Sequence, residues 1–335
     1  MKFKSIIDVI QYFSDEQRCL DYLIQMRWKG EIICPHCGCN KIYELKGKFK
    51  RYKCTDKECK KQFSATKGTI FENSQIPLCK WFTAIFLYGF HKKGISSCQL
   101  AKDLNVTQKT GWFMAQRIRH MLNTGGSIEL EGTIELDETF IGGKNKNRPY
   151  HKKVKNSQGR AFIDKTPVMG MLQKEEAHYI QRPHKIMPGK MVTEKVVTKP
   201  SEIKAIAISD TSGKSLHPHI LETVKKGSIL VSDEWRGYRG LNAIYEHHIV
   251  DHTRGQYVDE AGHTSNTLEG AWSHLKRTII GTYHQVSRKH LQRYVDEFVY
   301  RYNTRKITVQ EILDNSMENV NTRLSYKQLV KKKVA

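Results

Sequence analysis

Apolar residues recur at helical spacing through most of the first 122 residues of the chain. The pattern predicts one or two short helices in residues 1–30 and further helices in residues 78–90, 97–104 and 107–122. A tight turn at Asn105 and Val106 separates the last two, and helices joined in this way are typical of a helix-turn-helix. A plain helical bundle with the same spacing is the alternative.

Beyond residue 127 the pattern changes to strands that alternate with helices. Residues 133–141 alternate apolar and polar positions and stop at Gly142 and Gly143, which predicts a hairpin with a second strand at 168–172. Short apolar runs at 205–208 and 228–231 predict buried strands joined by a crossover helix at 216–226. Helical patterns follow at 264–280 and 287–301. We therefore expect an α/β domain, a mixed sheet flanked by helices.

The chain is strongly basic. Lys and Arg number 56 against 34 Asp and Glu, a formal net charge of +22 that is spread over the whole sequence. The expected partner is a polyanion, most commonly nucleic acid, although an acidic membrane or no specific partner also fits such a charge. Residues 144–165 carry eight Lys or Arg against one Asp, and form either a solvated loop or a DNA-contacting loop.

The sequence shows no targeting or membrane-spanning segment. The N-terminus lacks the apolar core of a signal peptide, and the longest apolar run, residues 81–90, is too short to cross a bilayer. We expect a soluble, cytosolic protein. Cysteines in that compartment stay reduced, so the eight in this chain indicate metal binding before disulfides.

Four cysteines form two pairs, Cys34-x2-Cys37 and Cys54-x4-Cys59, with 16 residues between the pairs. Thiolates at this spacing can surround a zinc ion as a tetrahedron, and the metal then supplies folding energy that a module of about 35 residues lacks. Four buried free thiols are the alternative. The second gap is wider than usual, which makes Cys59 the least secure ligand, and His36 or Cys39 is close enough to replace one.

The second helix of the expected helix-turn-helix begins after Thr107, a suitable capping residue. Gly111 lies inside this helix and weakens the match, because glycine lowers helix propensity. The exposed face of the helix is expected to offer polar and basic side chains to the major groove or to phosphates, namely Gln108, Lys109, Gln116, Arg117 and Arg119.

Three acidic residues stand at positions suited to metal binding. By strand alternation Asp137 points away from the apolar face that Glu138 shares, and Asp233 follows a buried strand, at the carboxyl end where open α/β sheets place their sites. Glu269 lies on the polar face of the helix predicted at 264–280, with Lys276 two turns further on. Each acid alone is readily explained as a surface charge. Together they suit two hard cations, which phosphodiester cleavage and transfer require.

Several longer motifs give the chain a family resemblance. It resembles bacterial insertion-sequence transposases of the ISXO-like group from about residue 18 to 305. The motifs that carry the resemblance are the cysteine knuckles, residues 68–71 (GTIF), 136–144 (LDETFIGGK), 232–234 (SDE), the stretch from His263 through Asn266, Glu269 and Trp272 to Arg277, residues 281–284 (GTYH), 294–298 (YVDEF) and 301–305 (RYNTR).

The resemblance implies an RNase H-like fold, a DDE-type site for Mg²⁺ or Mn²⁺, and an N-terminal region that recognises the element's terminal inverted repeats. The first two acids are then Asp137 and Asp233. The third is Glu269 or Asn266, and we prefer Glu269 because a carboxylate is the harder ligand and Lys276 follows at the position of a basic residue common in DDE enzymes. Lys276 and Arg277 are candidate DNA contacts. Because two DNA ends must be joined, a homodimer or larger assembly on double-stranded DNA is expected.

We therefore expect five segments along the chain. They are N-terminal helices (1–30), a zinc ribbon (31–68), a helix-turn-helix DNA-binding region (69–126), an RNase H-like DDE catalytic domain (127–305) and a basic tail (306–335). A non-catalytic DNA-binding regulator derived from a transposase is the alternative function, and a nuclease without strand transfer shares the same residues.

Overall fold

The chain is described from a computed structural model. The structure describes residues 3, 5–47, 50–123, 128–143, 149–153, 165–187, 189–250 and 264–331. Most of the basic segment 144–165, and His263, lie outside them. The chain divides into two compact units, residues 1–124 with 307–335, and residues 125–306.

The first unit begins with helices and a small sheet. Helices α1 (Ile6–Tyr12) and α2 (Glu16–Trp28) precede a three-stranded antiparallel sheet of β1 (Ile42–Leu45), β2 (Arg51–Cys54) and β3 (Gln62–Ser64). Trp28 packs edge-on against Tyr52, with ring centroids 5.7 Å apart. Trp28, Tyr52 and Phe63 form an aromatic cluster beside this three-stranded sheet. Such a cluster is too small to stabilise the sheet alone.

Helices α3 (Leu78–Phe90), α4 (Ser97–Asp103) and α5 (Gln108–Leu122) follow, close to the predicted bounds. Asn105 takes a left-handed conformation (φ 49°) in the turn between α4 and α5, and Thr107 caps α5 by accepting a hydrogen bond from the Thr110 amide. Gly111 has a packing role: a Cβ there would lie 2.9 Å from the Ser97 carbonyl oxygen and 3.2 Å from Ala101 Cβ. Glycine thus allows α4 and α5 to approach closely.

The second unit is built on a five-stranded mixed sheet. Its strands are β4 (Thr133–Gly142), β5 (Lys165–Gln173), β8 (Glu202–Ala207), β9 (Ile229–Ser232) and β10 (Glu246–Ile249), in the spatial order β10-β9-β4-β5-β8. The pairs β4–β5 and β5–β8 are antiparallel, whereas β4–β9 and β9–β10 are parallel. The predicted hairpin and central strands are confirmed. The antiparallel pair β6 (Glu176–Pro183) and β7 (Met191–Lys199) was not predicted.

Helices cover both faces of this sheet. The crossover helix α6 (Gly213–Thr223) packs with Ile134 and Leu136 of β4 on one face. On the other, α7 (Asn266–Thr278) and α8 (Leu291–Asn303) pack with Ile141 of β4 and Val168 of β5. The predicted α/β architecture is therefore confirmed as a mixed sheet between helices.

Side chains of α8 satisfy the open edge of β8. The Asn303 side-chain amide accepts a hydrogen bond from the Ile203 amide and donates one to the Ile203 carbonyl, both at 2.9 Å. Gln292 accepts from the Ala207 amide at 2.7 Å. At Ile203 and Ala207 these side-chain amides therefore occupy hydrogen-bonding positions that a neighbouring strand would otherwise take.

The last part of the chain differs from the basic tail that the sequence predicted. Helices α9 (Val309–Glu318) and α10 (Tyr326–Val330) belong to the first unit, where α9 packs against α2, α3 and α5. Thr308 and Glu311 form a capping box at the start of α9, and Leu313 and Met317 are fully buried. The lysines near the C-terminus led to the prediction of a basic tail, so the short amphipathic helix α9 was not predicted. None of the helices in the described ranges combines the length and apolar character needed to span a bilayer.

Candidate functional site

Four cysteine sulfurs converge beside the small sheet of the first unit. Cys34 Sγ lies 3.8 Å from Cys59 Sγ, and Cys37 Sγ lies 3.6 Å from Cys54 Sγ. All four sulfurs are within 4.8 Å of one another. Zinc–sulfur bonds of about 2.3 Å place tetrahedral ligands about 3.8 Å apart, so these thiols fit a structural zinc ion.

The wide gap between Cys54 and Cys59 is taken up by a local turn. The Asp56 carboxylate accepts hydrogen bonds from the amides of Glu58 (3.0 Å) and Cys59 (3.2 Å), which brings Cys59 back towards the other thiols. Cys39 is not in the cluster, and its sulfur accepts from the Lys41 amide instead. The four cysteines expected from the sequence therefore form the candidate site, Cys59 included.

Helix α5 presents fewer polar side chains to solvent than the sequence predicted. Gln108 and Lys109, in its first turn, are exposed as expected. Gln116, Arg117 and Arg119 are buried, so their predicted place on an exposed DNA-contacting face is wrong.

The buried arginines have partners inside the unit. Arg117 donates hydrogen bonds of 2.6 to 3.2 Å to three backbone carbonyls, those of Ile70, Glu72 and Leu324. The Arg119 guanidinium lies 5.1 Å from the ring centroid of Tyr88. Helical periodicity could not reveal this, because the carbonyls come from segments far away in sequence.

Asp137 and Asp233 lie at matching positions of neighbouring parallel strands. Leu136 of β4 pairs with Ser232, the last residue of β9, so each strand continues with an aspartate. Adjacent strands are about 4.8 Å apart, and residues in register share a face of the sheet. The predicted position of Asp233 at the carboxyl end of a central strand is confirmed.

The carboxylate of Asp137 is held by two hydrogen bonds. Its Oδ1 accepts from the Glu138 amide at 2.8 Å, and its Oδ2 accepts from the Trp272 indole at 3.0 Å. Burial, with the negative charges of Asp233 and Glu269, raises the pKa of Asp137 to about 6. Mutual repulsion among these acids would be relieved by a bound cation.

Glu138 faces the opposite side of β4, as strand alternation predicted. Its Oε1 accepts a 2.5 Å hydrogen bond from Tyr238, which packs in the same apolar cluster as Ile134 and Leu136. Glu138 is thus part of the other face and not of the Asp137 site.

Helix α7 brings the third candidate acid to this site. Glu269 lies in the first turn of α7 and is exposed, and its negative charge contributes to the raised pKa of Asp137. Asn266, the other candidate, is the first residue of the helix and is also exposed. Lys276 and Arg277 lie exposed in the last turn, where Arg277 donates to Ser273 Oγ at 2.7 Å.

The carboxylates do not form a closed ligand set like that of the thiols. Within the described ranges, the cysteine group alone brings three or more ligand atoms within 4.8 Å of one another. Asp137, Asp233 and Glu269 are coupled by charge and open to solvent on the side of Glu269. The acids therefore share negative charge at one end of the sheet without enclosing a site.

Two residues beside the site were missed by sequence reasoning. Glu135 is completely buried on the same face as Asp137, and accepts a 2.7 Å hydrogen bond from the Leu268 amide. Gly170 pairs with Asp137 across β5, and a Cβ there would lie 2.4 Å from the Trp272 ring. The two-residue spacing from Glu135 to Asp137 was a signal for the first, and nothing in the sequence pointed to the second.

The family models match both parts of the chain. An ISXO2-like transposase domain matches residues 129–303, and a transposase zinc-ribbon domain matches residues 14–62. The chain belongs to the ISXO2-like transposase family. The first match contains Asp137, Asp233 and Glu269, and the second contains all four clustered cysteines.

Two relatives agree with this assignment. An uncharacterized protein in transposable element ISH50 of Halobacterium salinarum is 28% identical over 321 residues, which cover 92% of this chain and 98% of that protein. An uncharacterized transposase-like protein of Haemophilus influenzae is 24% identical over 110 residues, or 32% of this chain and 87% of that protein. The resemblance noted from the sequence motifs is thereby confirmed.

Proposed function

We propose that this chain is a DDE transposase that cuts and joins DNA at a divalent-metal site formed by Asp137, Asp233 and Glu269. The observation that carries the proposal is the raised pKa of Asp137 in β4, which burial and the charges of Asp233, directly after β9, and Glu269 in α7 produce. The strand order, with three antiparallel strands beside two parallel ones, supports an RNase H-like fold for the unit.

The donor set suits Mg²⁺ or Mn²⁺, since carboxylate oxygens are the hard ligands that these ions prefer. Bound at the site, the ions would activate the attacking oxygen and stabilise the leaving oxygen of the phosphodiester. The Trp272 indole keeps Oδ2 of Asp137 in place, and Lys276 and Arg277 are positioned on the same helix to contact phosphate. In the reaction water first attacks at the element end, and the freed 3′-hydroxyl then attacks target DNA.

The first unit is the proposed reader of the terminal inverted repeats. Its cysteine cluster would hold zinc, and α4 and α5 would act as a helix-turn-helix with Gln108 and Lys109 towards the DNA. At least two copies must act together, because two DNA ends are joined. In the alternative function, a non-catalytic regulator would bind DNA with the same first unit and would not require Asp137, Asp233 and Glu269.

The catalytic proposal predicts a specific pattern of losses. Asp137→Asn, Asp233→Asn and Glu269→Gln should each lower Mg²⁺-dependent strand transfer of a pre-cleaved element end by several orders of magnitude, because each removes a charge that holds the cations. Glu131→Gln is the matched control, since Glu131 is an exposed acid paired with Lys199 and Lys225. Binding to element ends should be unchanged in all four variants.

Asn266→Ala tests the third position in the same assay, and should cost far less than Glu269→Gln. The reverse order would assign that position to Asn266. Cleavage without strand transfer would indicate a nuclease, and end binding with no metal-dependent chemistry in the parent would indicate the regulator.

The cysteine cluster predicts about one zinc per chain in the purified protein. Cys34→Ser and Cys59→Ser should each lose the metal, and with it end-specific DNA binding, whereas Cys39→Ser should keep both. Retention of zinc by Cys59→Ser, measured by elemental analysis, would contradict the four-cysteine site.

A further inference from the structure

Helix α7 begins without a cap from its own N-cap residue. Ser265 makes no side-chain hydrogen bond to the first turn. The amide of Leu268 donates instead to Oε2 of Glu135, at 2.7 Å, and the Thr267 side chain donates to the same carboxylate. A strand residue more than 130 positions earlier in the chain thus performs the capping that Ser, Thr or Asp usually performs locally.

Glu135 is an unusual residue for the interior of a sheet. Its side chain is fully buried, with Lys174 Nζ 3.6 Å from Oε1 as its counter-charge. Burying a carboxylate costs free energy, and an apolar side chain of similar size would fill the space at least as well. The charge therefore serves the direction and register of the helix more than stability.

The strand and the helix match in spacing. Glu135 and Asp137 lie two residues apart on one face of β4, which is about 6.6 Å. Their donors, the Leu268 amide and the Trp272 indole, lie four residues apart on α7, which is about 6 Å along the helix. Gly170 leaves the space that the Trp272 ring occupies. Two carboxylates therefore fix α7 on β4 at two points, one turn apart.

We propose that Glu135 is a positioning residue that sets the register of α7 on β4 and so holds Glu269 opposite Asp137 and Asp233. Glu269 follows Leu268 directly, so its backbone is fixed by the bond that Glu135 accepts. The inference rests on the proposed function, because it assigns to Glu135 the assembly of that metal site. Glu135 itself would not touch metal or DNA.

The test uses Mn²⁺ binding to the full zinc-loaded chain, measured by titration calorimetry. Glu135→Gln replaces the carboxylate by a neutral amide, which accepts a weaker hydrogen bond from the Leu268 amide. It should weaken Mn²⁺ binding about 10-fold, as changes to residues that orient metal ligands do. Glu131→Gln, the matched surface variant on the same segment, should leave the affinity unchanged. In a Glu269→Gln background, Glu135→Gln should cause no further loss.

The outcomes separate this inference from the proposed function. If the parent protein does not bind Mn²⁺, or if Asp137→Asn binds it as well as the parent does, the metal site itself is overturned. Normal Mn²⁺ affinity in Glu135→Gln would overturn the positioning role alone. An equal loss with and without Glu269 would also overturn it, because a general structural effect would not depend on Glu269. If Glu135→Gln does not fold, Thr267→Val removes one donor to Glu135 from the exposed side, and unchanged affinity there would contradict the inference.

Discussion

Asp296 is an ionisable residue whose environment opposes its charge. It lies on α8, where Gln292 donates a 2.7 Å hydrogen bond to its Oδ1. Burial raises the pKa of Asp296 to about 7, against the lowering effects of Gln292 and of the nearby Arg293. The same Gln292 satisfies the edge of β8, so the acid belongs to the contact between α8 and the sheet.

The raised pKa predicts a pH-dependent stability. Between about pH 4 and 7 the unfolded chain has lost the Asp296 proton and the folded chain keeps it, so this residue makes stability fall as pH rises through that range. Asp296→Asn removes the effect. Its free energy of unfolding, relative to the parent, should rise by on the order of 2 kcal/mol from pH 5 to pH 8 in urea titrations. A difference independent of pH would contradict the assignment.

At the scale of elements, the hydrophobic pattern of the sequence indicates where helices and strands begin and end, whereas tertiary packing determines which groups they contact. The bounds of α3 and α5 and the β4–β5 hairpin could be predicted, because periodicity reports which face of an element is buried. The partners of buried polar groups could not be predicted. Gly111 lowers the helix propensity of α5, yet it is the point where α4 approaches α5, a contact that depends on tertiary structure.

Two helical glycines provide a matched test of that contact. Gly111→Ala would place a methyl 2.9 Å from a backbone oxygen, and should destabilise the first unit by about 1 kcal/mol or more, because overpacking outweighs the gain in helix propensity. Gly270 in α7 has no atom within 4 Å of a Cβ, so Gly270→Ala should stabilise by about 0.5–1 kcal/mol. The two changes should shift thermal unfolding in opposite directions. If Gly111→Ala stabilised the protein, α4 and α5 would be less tightly packed than the 2.9 Å distance to the Ser97 carbonyl oxygen indicates.

At the scale of the molecule, the chain returns to the unit in which it started. The segment after residue 306 packs into the first unit: Ile70 donates a backbone hydrogen bond to Val320, and Glu72 pairs with Arg323 at 3.3 Å. The sequence could suggest the candidate metal ligands, since cysteine pairs and clustered acids are recognisable from residue type and spacing. It could not assign this segment, because the helices that α9 packs against, α2, α3 and α5, all lie within the first 122 residues of the chain.

Truncation after Lys306 tests this return of the chain. It removes buried apolar side chains at Ile312, Leu313, Met317, Val320, Leu324 and Leu329. Their burial contributes roughly 10 kcal/mol, comparable with the whole stability of a domain, so the first unit should lose its native packing. Hydrogen exchange of α3 and α5 should become fast, while β4 and β5 of the second unit keep their protection. Truncation after Lys331 is the control and should change neither.

Adding a peptide of residues 307–331 should restore protection to α3, because the segment acts through packing and not through its connection to the second unit. Unchanged protection of α3 in the chain that ends at Lys306 would mean that residues 3–123 fold without α9, and that the C-terminal helices are an accessory to the unit.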